Sequence, residues 1–165
     1  MTVYADYTAE EQRVLRASLE AAALMVSVAS PGRSEETVSE GYAAASTALG
    51  SREAYVSNTL VSSVILWLEE AAKERRHFPD YVKLAESEGI AERSRQMLLD
   101  VVALLDAKAT PVEAAGFKRW LLQIATAVAE AGKEDQGFLG MGGVQVNDAE
   151  RAALDDIAGV LGIER

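Results

Sequence analysis

The stretch TPVEAAGFKRWLLQIATAVAEAG, residues 110–132, decides the fold. Thr110 with Glu113 three positions on is a capping box: the hydroxyl and the carboxylate satisfy two amides that a helix start leaves free. Pro111 stands at the first helical position, where its fixed φ suits the helix and its missing N–H costs nothing. Phe117, Trp120, Leu121, Ile124 and Val128 then recur at three- and four-residue steps, which gathers them on one face. Gly132 ends the pattern.

The same grammar recurs in both directions. Thr8 and Glu11 form a second capping box, followed by the stripe Leu15, Leu19, Ala22, Val26 and Ala29, which Ser30-Pro31-Gly32 stops. A second helix starts at Ser34, with Glu35 and Glu36 favoured by the helix dipole. It ends at Gly50, expected as a left-handed terminator. A third runs from Ser57 or Asn58 to about Arg76. Its segment LVSSVILWL (60–68) is apolar nearly all round, which predicts a central position. A short helical piece follows Pro79 and Gly89 breaks it. The next helix, about Ile90 to Lys108, carries Met97, Leu98, Val101, Val102, Leu104 and Leu105 and is the other candidate for the centre. Asn147, with Glu150 three on, caps a last helix carrying Leu154, Ile157, Ala158 and Leu161, and Gly162 ends it. No segment reads as a strand. The expected fold is all-α: one domain over 1–165, a compact bundle of five to six helices, with residues 1–7 as an N-terminal tail and 132–146 as a long Gly-rich apolar loop before the last helix.

The totals narrow the function. The chain has 16 basic and 26 acidic residues and a net charge of −10. Phosphate backbones are bound through Lys and Arg, so no nucleic acid is expected as a partner, and an anionic lipid surface is disfavoured on the same ground. Without cysteine there is no disulfide, thiolate zinc site or cysteine nucleophile. No apolar run, Val64–Leu68 included, approaches a membrane span, and MTVYADYTAEEQ lacks the features of a signal peptide. The expected setting is cytoplasmic, with no membrane partner.

Candidate chemistry is sparse. Glu74-Arg75-Arg76-His77 has the Glu-x-x-His spacing of carboxylate di-iron bundles, but His77 is the only histidine, so the required second pair does not exist. No serine sits in a Gly-x-Ser-x-Gly elbow. The carboxylate pairs Glu35/Glu36, Glu69/Glu70 and Asp155/Asp156 fall on expected solvated faces, with Glu69 four before Lys73 as a helix-stabilising pair. Lys73–Arg76, Lys83, Arg93 and Arg95 are interleaved with carboxylates and are expected to cancel locally. Trp67 and Trp120 read as core packing.

GFLGMGG (137–143) is the unusual motif. It has neither the lysine nor the helix position of a phosphate cradle, and its apolar middle excludes an EF-hand loop. Either Phe138, Leu139 and Met141 fold back onto the bundle or they form an apolar site for a protein partner. Asp135, Asp148 and Glu150 bracket the loop and are the candidate ligands for a divalent cation; no other cofactor is indicated. The expected role is thus a non-enzymatic helical protein acting on a protein partner or as a homodimer. The alternative is a small metal- or ligand-binding domain using those three carboxylates.

The span FKRWLLQIATAVAEAGKEDQGFLGMGGVQVNDAERAALDDIAGVLG (117–162) resembles the ending of a family of small all-α bacterial proteins of unassigned function. In that family an FK-x-WL helix leads through VAEA and K-E to GFLG-x-GG and a capped helix ending in LG. In outline, the alanine-rich helix, glycine turn and capped helix are also similar to TerB-type tellurite-resistance and stress domains. This chain replaces their short Asp-Gly turn with the glycine loop. These resemblances imply a helical fold and a bacterial stress setting; they imply no reaction.

Overall fold

The computed structural model describes residues 1–32, 34–74, 80–131 and 146–164. Among these residues, a 3-10 turn at Tyr4–Asp6 is followed by seven α-helices: α1 (Ala9–Ala29), α2 (Ser34–Gly50), α3 (Thr59–Lys73), α4 (Tyr81–Ala85), α5 (Ile90–Lys108), α6 (Pro111–Ala131) and α7 (Asp148–Leu161). Among the described residues there is no strand. The all-α expectation holds: six long helices and one short one, α4.

The helix starts follow the local chemistry. Thr8 accepts from the Glu11 amide while Glu11 accepts from the Thr8 amide. Thr110/Glu113 and Asn147/Glu150 repeat the exchange at α6 and α7. Asn58 caps α3 and Asp80 caps α4. Gly89 and Gly162 take φ of +68° and +66°, the left-handed region that favours glycine, at the start of α5 and the end of α7. Gly50 does not. It is the last helical residue of α2, and the chain leaves through a turn in which the Ser51 hydroxyl bonds back to Thr47.

The centre of the bundle is α1 with α6, not α3. Residues Ala21 to Ser27 are seven consecutive buried positions, so α1 is enclosed on every side. It packs against α2, α4, α5, α6 and α7, and α6 packs against α1, α2, α3, α5 and α7. Alanine explains this: AAALMVS (21–27) is apolar at six of its seven positions, and its small side chains let neighbouring backbones close in. By contrast α3 buries Leu60, Val61, Val64 and Ile65 and leaves Leu66 exposed, packing on α6, α2 and the 3-10 turn. Fully buried Phe117 and Trp120 meet edge to face, with centroids 5.5 Å apart, in the core of α6. Truncating either to alanine would cost about 3–5 kcal/mol.

Residues 1–7, expected as a tail, are held to the bundle through Tyr4 and Tyr7. Tyr4 and Tyr7 are buried, the Tyr4 amide donates to Ser63 Oγ at 2.8 Å, and Gln12 donates to the carbonyls of both tyrosines. Arg16 lies over the Trp67 ring at 4.4 Å and donates to the Tyr4 hydroxyl. Two buried aromatics are enough to hold this short segment to the bundle.

The anchor of this arrangement is Glu113, only 4% exposed. Its Oε1 accepts from the Thr2 amide and the Thr59 hydroxyl, each at 2.7 Å, and its Oε2 from the Thr110 amide at 3.0 Å and hydroxyl at 2.7 Å. Burial alone would push this carboxyl up, but the hydroxyls of Thr59 and Thr110 and the amides of Thr2 and Thr110 outweigh it and hold it at about 2. The N-terminus, the start of α3 and the start of α6 thus meet on one carboxylate.

Candidate functional site

Of the residues singled out in the sequence, Asp135, Phe138, Leu139 and Met141 lie outside the described residues, as does His77. Asp148 and Glu150 share the first turn of α7 with different environments. Asp148 stands almost fully in solvent and pairs with Arg151 at 2.7 Å. Glu150 is buried, and its Oε2 accepts from the Asn147 amide at 2.9 Å as half of the capping box. Asn147 in turn donates to Ser30 Oγ at 2.8 Å, which fixes the start of α7 to the end of α1. Among the described residues no three His, Cys, Asp or Glu side chains converge as a metal site would need. No described helix is long and apolar enough to cross a membrane.

Of the basic cluster, Arg75 and Arg76 lie outside the described residues, and three of the others pair with nearby carboxylates. Lys73 pairs with Glu70 at 2.6 Å, Lys83 with Asp80 at 3.9 Å and Arg95 with Asp156 at 3.6 Å. Glu69, expected to serve Lys73, instead meets Arg52 at 3.0 Å across the turn before α3.

Two features remain that sequence reasoning missed. The first is a buried polar cluster where α4 crosses α1 and α2. Tyr81 reaches over Gly41, whose missing Cβ makes room for its ring, and its hydroxyl lies 2.9 Å from Ser27 Oγ. Glu40, 5% exposed, belongs to the same cluster, and its Oε2 has no hydrogen-bond partner among the described residues. Burial pushes the Glu40 carboxyl up, a hydrogen bond from Ser27 pulls it down, and Glu150 and Glu36 push it up again. Tyr81 is raised chiefly by burial, and Glu20 likewise, with Arg16 opposing the shift in Glu20. Tyr81 donating to Ser27, and Ser27 to Glu40, satisfies both hydroxyls. With Ser27 and Glu40 each 5% exposed, this cluster ties helices together inside the bundle rather than presenting groups to a substrate.

The second feature is exposed. The start of α2 lies against the end of α6, and between them run two adjoining depressions of about 480 and about 780 Å³ that share Ala127 and Glu130. Ala43, Ser46 and Ala127 form small-residue walls, and Leu122 contributes apolar surface at the far end. Val38 and Tyr42 stand on the rim, 58% and 76% exposed. Four positions apart, they share a helix face. Arg119 lines one end of the groove and Glu130 the shared section. Val38 and Tyr42 stand four apart in the α2 sequence, but only the packing of α6 shows that they flank a groove.

Compared with protein-family models, curated proteins and solved structures, the chain matches none of them.

Proposed function

We propose that this chain is a non-enzymatic helical protein of the cytoplasm that acts through protein–protein contacts, and that it makes them with the α2/α6 face. The observation that supports this is the pair Val38 and Tyr42, held out in solvent beside a groove with small-residue walls. Isolated exposed apolar residues are ordinary on any protein surface. An aromatic and a β-branched residue on one helix face, rimming a concave strip, form the kind of patch that marks an interaction site. Tyrosine suits such a role because it offers a large contact area and a polar tip at low entropic cost. The resemblance to TerB-type domains suggests a stress setting for these contacts.

The test is photo-cross-linking with a reactive amino acid at position 42 and, as control, at position 112, where Val112 is equally exposed at 78%. The reading expects a discrete cross-linked protein species from position 42 and none from position 112. Monomer alone at both positions would overturn it.

A further inference from the structure

We infer that the occupant of the α2/α6 groove is a second copy of this chain, bound about a two-fold axis; this deepens the reading above and rests on it. The argument is one of charge placement. Arg119 and Glu130 both line the groove, and neither has an ion-pair partner among the described residues. They are eleven positions apart on α6, three helical turns and about 16 Å, so they project from the same face. A two-fold axis crossing α6 midway between them brings Arg119 of one copy to Glu130 of the other, and the reverse pair forms by symmetry. A surface with a cation at one end and an anion at the other is self-complementary in the way an isologous interface requires.

The shape agrees. Near the axis lie Gln123, Thr126 and Ala127, small or flexible enough for two α6 helices to approach. On either side Tyr42 is free to cross the interface. At a net charge of −10, copies of this chain repel over most of their surface. A face that alternates in sign is where that repulsion is locally reversed, so charge selects the register as well as the partner.

Sedimentation velocity on the full chain across a concentration series tests this, with wild type, Arg119→Glu, Glu130→Arg and the double variant. Wild type should show a concentration-dependent dimer. Each single variant should raise the dissociation constant at least tenfold, and the double swap should restore it, because the pair is re-formed with reversed signs. Both positions are exposed, so unchanged helical circular dichroism in all four proteins shows that the fold is not what responds. A dimer insensitive to the single swaps, or single losses that the double variant does not rescue, overturns the inference. Wild type that stays monomeric also overturns it; if position 42 still cross-links to another protein, the contact-surface reading survives, and if it does not, both fail.

Discussion

The backbone amide of Thr2 donates a 2.7 Å hydrogen bond to the carboxylate of Glu113, 111 positions along the chain. Glu113 also completes the capping box of α6 and accepts from Thr59 at the start of α3. One local helix-start signal therefore doubles as the long-range tie that closes the bundle. Glu113→Gln keeps the shape but removes the charge and half of the acceptor capacity. It should lower stability by about 1–3 kcal/mol, read from urea midpoints. The sign with pH follows from the depressed carboxyl. Its stabilising contribution is present above the ordinary value of 4.5 and is lost as pH falls toward about 2. The gap between wild type and variant should accordingly narrow as pH drops through that window.

Gly116 sits in the second turn of α6, where alanine ordinarily gains about 1 kcal/mol of helix stability. Here a Cβ would run into the side-chain amide of Asn58. That amide donates to the Glu113 carbonyl at 3.1 Å, while Asn58 Oδ1 caps α3 by accepting from the Val61 amide at 3.0 Å. Gly116→Ala should therefore destabilise, by about 1–2 kcal/mol, because it displaces a buried cap. A rise in the melting temperature of this variant would show that the α3–α6 approach is looser than described.

Glu40 should make the fold sensitive to pH in the opposite direction from Glu113. Its carboxyl is raised, first by burial and then by Glu150 and Glu36, against the pull of Ser27; Tyr81 and, beyond it, Glu20 complete its surroundings. A raised carboxyl contributes stability at pH below its unfolded value, and that contribution is lost as pH rises through the folded value. Glu40→Gln removes the ionisation and should be more stable than wild type at neutral pH by on the order of 1 kcal/mol, with the difference vanishing in mild acid. Urea melts at about pH 4 to pH 8 would show this; a constant offset across that range would contradict it.

Glu150 separates the capping role from a metal role. Glu150→Ala should lower the melting temperature by the equivalent of about 1 kcal/mol through loss of half the capping box. Asp148→Ala, at a solvent-exposed ion pair, should change it little. Calcium, magnesium, manganese and zinc should leave all three proteins where they were. A cation-dependent rise in wild type that Asp148→Ala abolishes would instead support a divalent site at the start of α7.

How much of this was legible in the sequence depended on range. The capping boxes at Thr8, Thr110 and Asn147 and the glycine stop at 162 are exchanges within a few residues, so spacing alone reveals them, whereas it narrows the start of α3 only to Ser57 or Asn58. The centre of the bundle was not legible. Hydropathy favoured LVSSVILWL, whereas packing placed alanine-rich α1 beside α6 at the centre, because alanines let several neighbouring helices close in at once. Gly116, Gly41 and the packed N-terminal segment were also missed, since each acquires its role from a partner far along the chain: Asn58 for Gly116, Tyr81 for Gly41, and Glu113 and Ser63 for Thr2 and Tyr4. The groove at Val38 and Tyr42 belongs to the same class. One helix supplies the exposed residues and another makes them the rim of a site.

Native mass spectrometry of untagged protein, prepared without chelators or added metal and compared with Val38→Asp/Tyr42→Asp, tests the contact-surface reading most directly. Both positions are exposed, so the substitutions should leave stability within about 0.5 kcal/mol. Wild type should carry the mass of a protein complex with no extra small mass, and the double variant should fall to a single bare chain. A wild-type monomer carrying a stoichiometric small-molecule or metal mass, unaffected by the substitutions, would contradict the account.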